Sequence, residues 1–391
     1  MSTETGLKIA DIETHLVSLP LRRKHTWAGN YSPVGQRYLL VRLTLEDGTY
    51  GWGEAQVLKD WGGEFGTRYG ETPETAIIVI KEYLLPLLKG EDVGRFDYLH
   101  AKMDKFIKGH PYAKAAVDVA MHDAAGKAFG VPVYQLLGGL VNREIGVAHS
   151  IGLMDTEPAV EEAKQVADEG VTCVKIKVGN DAARDIDIVR RIREAVPEMR
   201  IRVDANQGYR SWKEALRVTN ILADYDIWFM EQPVEGLEGM ARVAQATEVP
   251  VMADESCWNA HDLLRLVRHE AAEMISCYYT KAGGLAKARS LLSLAHTAGI
   301  TSDVNGSAEM GIGNAANLHI AAASLAVDIP GTIPVTQREG EEQTKVACRL
   351  YLDDLIDKPY PYADGKVTIG DKPGLGVDID PEKLAKYRVG G

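Results

Sequence analysis

The first part of the chain combines β-branched and aromatic residues in a pattern that predicts strands. The stretches LKIADIETHLVSLPL and RYLLVRLTLEDGTYGWGEA carry this pattern. Glu46, Asp47 and Gly48 fall inside the second stretch, and residues of these types favour turns. We therefore predict strands that are separated by a turn in this part of the chain.

Two longer stretches of the same region predict helices. In ETPETAIIVIKEYLLPLLKG, Thr72 can cap the helix, Pro73 takes its first position and Gly90 lies past its end. The second stretch, YAKAAVDVAMHDAAGKAFG, contains many alanines, which permit close packing against a neighbouring element. Strands and helices together predict a mixed α+β domain over residues 1–141.

From about Ile145, short apolar runs alternate with amphipathic segments, and this alternation is typical of a parallel sheet with crossover helices. A repeat of about 25 residues around a closed ring makes a β/α barrel. An open doubly wound sheet is the alternative, but the GxGxxG or P-loop that it requires after its first strand is missing from the sequence. The residues that end the apolar runs recur every 23 to 27 positions, at Ser150, Lys177, Asp204, Glu231, Asp254, Lys281 and Asn305.

The barrel is predicted over residues 142–345, and the segment 346–391 leaves it. This tail contains GKVTIG and KPGLGVDIDPEKL, and we expect it to pack back on the N-terminal region. A chain of 391 residues is long enough for one barrel and one additional domain.

Composition limits the classes of partner. Hydrophobic residues make up 45% of the chain and charged residues 26%, which is ordinary for a folded globular protein. The 44 basic and 56 acidic residues give a formal net charge of −12, which argues against nucleic acid or an anionic membrane as a partner. The N-terminal MSTETGLKIA predicts no signal peptide, and no apolar stretch predicts a transmembrane helix. The four cysteines form no CxxC pair, so we expect free thiols in a reducing cytoplasm.

Three acidic residues, Asp204, Glu231 and Asp254, each directly follow an apolar run. In a barrel the C-terminal ends of the strands converge on one mouth, so three consecutive strands bring three carboxylates together. A single acid of this kind is usually a solvated loop residue, but three in the same register would repel each other unless a cation neutralised them. Hard oxygen ligands suit Mg²⁺, with Mn²⁺ as the alternative.

Three lysines are predicted at the same mouth. Lys175 and Lys177 are two positions apart in a strand and therefore share a face, and Lys281 ends a run about half a ring away. A second lysine, a divalent cation and partial burial all disfavour the ammonium form, so we expect a lowered pKa that makes Lys177 a general base. Lys281 would then act on the opposite face of the same carbon. The lysines and the cation give this mouth a local positive charge despite the acidic chain.

In their order and spacing these motifs resemble the enolase superfamily, and within it the muconate-lactonizing subgroup of the mandelate racemase and muconate lactonizing enzyme family. The resemblance also covers SAEMGIGNAANLHIAAA, GKVTIGDKPGLGVDID, AAVDVAMHDAAGKAFGVPVYQLLGG and GWGEA, and so nearly the whole chain. The matching motifs that carry chemistry are VKIKVG, VDANQG, EQP, ADES and TKAGG.

The resemblance implies a modified TIM barrel of the α/β class, closed by an N-terminal α+β cap that the C-terminal tail completes. It implies Mg²⁺ ligands at Asp204, Glu231 and Asp254. It implies Lys177 as the base, Lys175 as the residue that tunes it, and Lys281 as the opposite acid or base. The shared chemistry is abstraction of the proton α to a carboxylate through a metal-stabilised enediolate. A non-catalytic binding protein on this scaffold would have lost some of these residues, and all are present.

Several reactions remain open within the subgroup. Racemisation or epimerisation of an amino-acid derivative is the leading hypothesis, since two opposed lysines suit proton exchange on both faces of a carbon. Cycloisomerisation follows closely, and a dehydratase or lyase is the alternative. The mandelate racemase subgroup would show a histidine on the seventh strand, and none stands near Asp303 or Asn305. Asp328-Ile329-Pro330 replaces the DxD of dipeptide epimerases, which argues against a free dipeptide ammonium.

Two glycine-rich and aromatic loops, Arg22–Tyr31 and Lys59–Glu71, are the candidates for a mobile lid that sets specificity. Within them Lys24, His25 or Arg68 could bind a polar end of the substrate. The expected partner is a small carboxylate, and the resemblance implies a homo-oligomer, a dimer or an octamer. The predicted substrate contacts are Asn206, Trp27, Trp61, Phe65, Asn305 and Glu309.

Overall fold

The structure is a computed structural model that describes residues 7–28, 37–306 and 308–390. Its N-terminal sheet is antiparallel, in the order β1-β2-β3, and confirms the predicted strands. The turn between the second and third strands is closed by the carboxylate of Asp47, which accepts a 2.8 Å hydrogen bond from the backbone N–H of Thr49. These strands are β1 (Ile9–Val17), β2 (Tyr38–Leu45) and β3 (Tyr50–Ala55).

The predicted helices of this region form, with one difference. Thr72 caps the first helix and Pro73 takes its first position, as expected. The helix is not uniform, since residues Val79–Leu84 form a π-helical segment. Pro86, just beyond, has no N–H to donate, which accounts for a change of hydrogen-bond register at this point. The helices are α1 (Pro73–Ile78), α2 (Leu85–Leu88), α3 (Phe96–Phe106), α4 (Pro111–Phe129) and α5 (Val133–Leu136), with a 3₁₀ turn at Glu64–Gly66.

The second part of the chain is the predicted parallel barrel. Seven strands pair in sequence order, and bridges from Ser302 to Val327 and from Val147 to Gly331 close the ring through an eighth, irregular segment. The strands are β5 (His149–Ile151), β6 (Cys173–Lys177), β7 (Arg200–Asp204), β8 (Ile227–Glu231), β9 (Val251–Ala253), β10 (Met274–Cys277) and β11 (Thr301–Val304). The helices are α6 (Thr156–Asp168), α7 (Ala182–Ala195), α8 (Trp212–Ala223), α9 (Leu237–Ala244), α10 (Ala260–His269), α11 (Tyr279–Ala282), α12 (Leu285–Thr297) and α13 (Gly311–Ala322).

The N-terminal sheet packs on the alanine-rich helix α4 at very short range. A Cβ atom added to Gly53 would lie 1.9 Å from the carbonyl oxygen of Ala116, and one added to Gly51 would lie 2.3 Å from that of Ala120. Glycine in β3 and alanine in α4 therefore allow the two backbones to approach. Glu54, the next residue of β3, reaches the barrel and accepts hydrogen bonds from the first turn of α13.

The C-terminal tail returns to the N-terminal region, as predicted. Asp378 accepts a 2.9 Å hydrogen bond from the indole Nε1 of Trp52, and Val389 donates from its backbone to Leu16. The boundaries of the three predicted segments themselves stay a prediction. Within the described ranges no helix is long and apolar enough to cross a membrane. The remaining elements form a small antiparallel sheet and a last helix: β4 (Glu144–Gly146), β12 (Tyr362–Ala363), β13 (Lys366–Thr368) and α14 (Pro381–Tyr387).

Candidate active site

Three buried carboxylates meet at the C-terminal ends of adjacent strands. Asp204 and Glu231 are the last residues of β7 and β8, and Asp254 directly follows β9. One oxygen of each lies within 4.8 Å of the oxygens of the other two. The structure therefore brings together the three acids that the spacing of the sequence predicted.

Lys175 and Lys177 project from β6 into the barrel beside these acids. The ammonium of Lys175 lies 2.7 Å from Oε1 of Glu231 and 2.8 Å from Oδ2 of Asp204. Lys177 donates to Oδ2 of Asp204 and to Oδ1 of Asn206, both at 2.7 Å. The alternating residues Val174 and Ile176 are buried on the other face of the strand, as the two-residue period requires.

Lys281 reaches the triad from the other side, but from a helix. The run MISCYYTK was expected to be a strand up to this lysine, whereas β10 ends at Cys277 and Lys281 lies in the one-turn helix α11. Its Nζ donates to Oδ1 of Asp254 at 2.6 Å, and to the carbonyl oxygens of Asp254 and Ser276 at 2.7 and 2.8 Å. Lys177 and Lys281 therefore flank the two outer members of the triad.

Burial and these charges set the titration of the cluster. Burial alone would lower the pKa of Lys175, but the carboxylates of Asp204 and Glu231 outweigh it and raise that pKa. The pKa of Asp204 is lowered despite its burial, because two ammonium groups contact it. Burial and the negative charge of Asp204 raise the pKa of Glu231 to about 8. The lysines therefore do not fully compensate the negative charge of Glu231.

The site fits a divalent cation. Among the residues that the structure describes, Oε2 of Glu231 is buried and has no hydrogen-bond partner. A buried carboxylate oxygen without a partner is costly, and a cation held by this oxygen together with Asp204 and Asp254 would remove the cost. Three carboxylates are hard oxygen donors of the kind that Mg²⁺ prefers.

A cavity opens above the triad and is walled by aromatic residues of the first segment. Trp27 and Trp61 line it together with Asn206 and Tyr278. The Nζ atom of Lys177 lies 5.7 Å from the ring centre of Trp27, and that of Lys281 lies 5.8 Å from the ring centre of Trp61. Each of the two lysines therefore faces one predicted aromatic residue.

Three of the predicted substrate contacts do not lie on the described wall of this cavity. Phe65 is 69% exposed, does not line the cavity and lies close to Gly236. The side chain of Asn305 is buried and holds neighbouring strand ends together through hydrogen bonds to Thr332 and Ser276. Glu309 is also fully buried, although the adjacent Ala308 lines the cavity. Their role as substrate contacts stays a prediction.

The two predicted lid loops differ in how their described polar residues lie relative to the cavity. Residues 29–31 of the first loop lie outside the described residues, and its His25 lines the cavity. In the second loop, Arg68 pairs with Asp262 at 2.7 Å instead of facing the substrate cavity.

Sequence reasoning missed a basic wall of the cavity. Arg22, Arg23 and Arg349 line the cavity there. Glu162 from α6 accepts hydrogen bonds from Arg22 at 3.1 Å and from Arg23 at 2.6 Å, and its pKa is lowered despite burial. Burial lowers the pKa of His149, which keeps this ring neutral beside Glu162. Glu162 thus pairs with two guanidinium groups, whereas Arg349 pairs with Glu342 at 3.9 Å. The adjacent Arg22-Arg23 pair was a signal in the sequence, but Arg349 joins it only through the fold.

Comparisons with known families match both parts of the chain. Residues 13–138 match the mandelate racemase and muconate lactonizing enzyme N-terminal domain, and residues 158–383 match the enolase C-terminal domain-like family. These matches cover the N-terminal α+β region and most of the barrel.

The chain is also similar to individual proteins along nearly its whole length. Muconate cycloisomerase 1 of Rhodococcus opacus is 34% identical over 98% of this chain and 99% of its own. The crystal structure of N-succinyl Arg/Lys racemase from Bacillus cereus has a TM-score of 0.87 at 28% identity, over 98% of each chain. A dipeptide epimerase from Enterococcus faecalis, complexed with Mg and the dipeptide L-Leu-L-Tyr, has a TM-score of 0.83 at 28% identity, over 95% of this chain and 99% of its own.

Proposed function

Because the chain belongs to the mandelate racemase and muconate lactonizing enzyme family of the enolase superfamily, we propose that it is a Mg²⁺-dependent isomerase that removes the proton α to a carboxylate. We propose racemisation or epimerisation of an N-substituted amino acid as its reaction. The observation that carries this proposal is the position of Lys177 and Lys281 on opposite sides of the carboxylate triad.

The side chains divide the chemistry between them. Asp204, Glu231 and Asp254 would hold Mg²⁺, which when bound supplies positive charge to the substrate carboxylate as negative charge develops there. Lys177 removes the α-proton from one face of the substrate, and Lys281 returns a proton to the other face. Lys175 stays protonated beside Asp204 and Glu231 and keeps a fixed positive charge next to the base. Trp27 and Trp61 lie beside the two lysines and would shield them from water.

The basic wall supports a substrate with a second acidic group. Three arginines line the cavity there. Glu162 pairs with Arg22 and Arg23 and Glu342 with Arg349, so two carboxylates neutralise only part of the charge of three guanidinium groups. An amino acid whose N-substituent ends in a carboxylate has one acidic group for the triad and another for this wall. N-succinyl amino acids have this arrangement, and the B. cereus protein that the chain resembles is a racemase of such compounds.

Cycloisomerisation is the second candidate, because muconate also carries two carboxylates and the R. opacus relative is a muconate cycloisomerase. Incubation of the Mg²⁺-loaded enzyme in D₂O distinguishes the two reactions. A racemase incorporates deuterium at the α-carbon of N-succinyl amino acids and converts one enantiomer into the other. Turnover of muconate without α-deuterium incorporation into any N-acyl amino acid would show that the racemase proposal is wrong.

We further propose that the enzyme works in the cytoplasm as a homo-oligomer. Its four cysteines are buried and unpaired, which is compatible with a reducing compartment. The oligomer is proposed on the family resemblance alone, as a dimer or an octamer. Light scattering at micromolar concentration tests it, and a mass equal to the 42.7 kDa of one chain would contradict it.

A further inference from the structure

Glu255, directly after the metal-binding Asp254, holds two active-site side chains with one oxygen atom. Its Oε1 accepts a hydrogen bond from the indole Nε1 of Trp61 at 3.2 Å and another from Nδ2 of Asn206 at 3.0 Å. The side chain is 2% exposed and does not line the cavity, so the substrate does not reach it. These two hydrogen bonds connect Glu255 to the side chains beside the proposed proton-transfer lysines.

The Asn206 branch leads to Lys177. While Nδ2 of Asn206 donates to Glu255, its Oδ1 accepts a 2.7 Å hydrogen bond from the Lys177 ammonium. The amide can therefore not rotate without losing one of the two bonds. Asn206 also has a backbone φ of +43°, a left-handed conformation that its hydrogen bond to Asp204 helps to hold. Glu255 thus fixes the amide that orients the proposed base.

The Trp61 branch leads to Lys281. Its ring packs against Trp258 and Tyr278, with ring centres 5.3 Å apart in both cases. The Lys281 ammonium faces the ring of Trp61 at 5.8 Å and that of Tyr278 at 4.7 Å. The bond from Nε1 to Glu255 sets the rotation of the indole in this stack, and hence the surface that Lys281 faces.

We propose that Glu255 is a positioning residue that fixes both proton-transfer lysines at once, Lys177 through Asn206 and Lys281 through Trp61. The inference rests on the proposed function in assigning proton transfer to the two lysines. A carboxylate suits the task because a single oxygen can accept two hydrogen bonds. A glutamine in this place keeps an oxygen acceptor, whereas a leucine of similar size keeps none.

The first test follows α-deuterium exchange from each enantiomer of the substrate separately, since each enantiomer presents its α-proton to a different lysine. Trp61→Phe keeps an aromatic side chain but removes the Nε1 donor along with part of the indole, so it should slow the enantiomer that Lys281 serves. Asn206→Ala should slow the one that Lys177 serves. Glu255→Leu should lower kcat for both, by about 10- to 100-fold, as losing a supporting partner commonly does.

Glu255→Gln is the conservative variant, and it should recover most of the exchange in both directions. Equal impairment of the glutamine and leucine variants would overturn the proposal, because a lost hydrogen-bond acceptor would then not explain the effect. Unchanged kcat for both enantiomers in the leucine variant would overturn it as well. Glu248→Gln, at an exposed acid in the loop before β9, is the control and should behave like the unmodified enzyme.

A second test does not depend on the substrate. Acetic anhydride is applied to the Mg²⁺-loaded enzyme, and the acylation rates of Lys177 and Lys281 are measured by mass spectrometry against the exposed Lys358. Glu255→Leu should change the acylation rates of both lysines. Trp61→Phe should change only the rate of Lys281, and Asn206→Ala only the rate of Lys177. Unaltered rates at both lysines in Glu255→Leu would overturn the inference. If the unmodified enzyme exchanged no substrate at all, the proposed function would fail, while the labelling would still decide the role of Glu255.

Discussion

Lys177 donates a 2.7 Å hydrogen bond from Nζ to Oδ2 of Asp204, so the proposed base directly contacts a proposed metal ligand. Lys281 stands in the same relation to Asp254 on the other side of the triad. A carboxylate bound at the triad would therefore be within the reach of two ammonium groups from opposite directions. This symmetry is the structural basis of the proposed exchange at both faces of the α-carbon.

Replacing either lysine should stop proton transfer on one face only. Lys177→Met should lower α-deuterium exchange from one enantiomer by about 10²- to 10⁴-fold, the range that a general base contributes, and Lys281→Met should do the same for the other enantiomer. Racemisation should be lost in both variants, because it requires both faces. NMR of each enantiomer in D₂O measures this, and circular dichroism verifies the fold. Loss of exchange from the same enantiomer in both variants would contradict the opposed arrangement.

Much of this site could be predicted because parallel strands align their C-terminal ends. Asp204, Glu231 and Asp254 follow three consecutive strands, so their positions along the sequence determine their meeting in space. The two-residue period of β6 similarly placed Lys175 and Lys177 on the inner face. These predictions needed only the periodicity of the strands, which local sequence reports well.

Other parts depend on contacts between distant segments, which periodicity does not report. The guanidinium of Arg22 bonds to the carbonyl oxygen of Arg349, 327 positions later in the chain. Asn305 looked like a site residue because of its place at the end of a strand. Its amide instead accepts a hydrogen bond from Thr332 and donates one to Ser276. Lys281 lies beside the triad although its helix was not predicted, because it reaches Asp254 from the single helical turn after β10.

Removing a triad carboxylate should abolish tight cation binding. In Asp204→Asn or Glu231→Gln, Mg²⁺ loses a charged oxygen ligand, and its affinity should fall by more than the roughly 10- to 100-fold typical of losing a supporting partner. Titration calorimetry of the metal-free variants with MgCl₂ measures the change. Glu248→Gln, in the loop before β9, should bind Mg²⁺ like the unmodified enzyme. Unchanged affinity in both triad variants would refute the assignment of the metal site.

The close contact between β3 and α4 predicts a severe effect of a single methyl group. In Gly53→Ala, the new Cβ would lie 1.9 Å from the backbone oxygen of Ala116, and neither backbone can move without disturbing its own hydrogen bonds. We expect a loss of about 3 kcal/mol or more in the free energy of unfolding, measured by urea denaturation. Gly370→Ala is the matched control, because no atom lies within 4 Å of the added Cβ. Its change should stay within about 0.5 kcal/mol.

The pair formed by Glu162 and Arg23 predicts a pH-dependent contribution to stability. His149 accepts a hydrogen bond from the backbone N–H of Cys348 at Nδ1, so its Nε2 carries the proton that it donates to Glu162. With Arg22 and Arg23 as further donors, these bonds outweigh burial and hold the pKa of Glu162 below its ordinary 4.5. A carboxyl with a lowered folded-state pKa stabilises the fold above its ordinary pKa. The stabilisation is lost as the pH falls through the folded-state value.

Glu162→Gln should therefore reduce the free energy of unfolding by about 2 kcal/mol near neutral pH. The difference from the unmodified protein should persist down to about pH 4.5 and narrow below it, because Glu162 of the unfolded chain then binds a proton before the folded protein does. Urea unfolding between pH 3 and pH 7 measures both curves. Glu161→Gln is the control on the same helix, since its exposed pair with Lys164 contributes less than about 0.5 kcal/mol. A difference that widened as the pH fell would contradict the lowered pKa of Glu162.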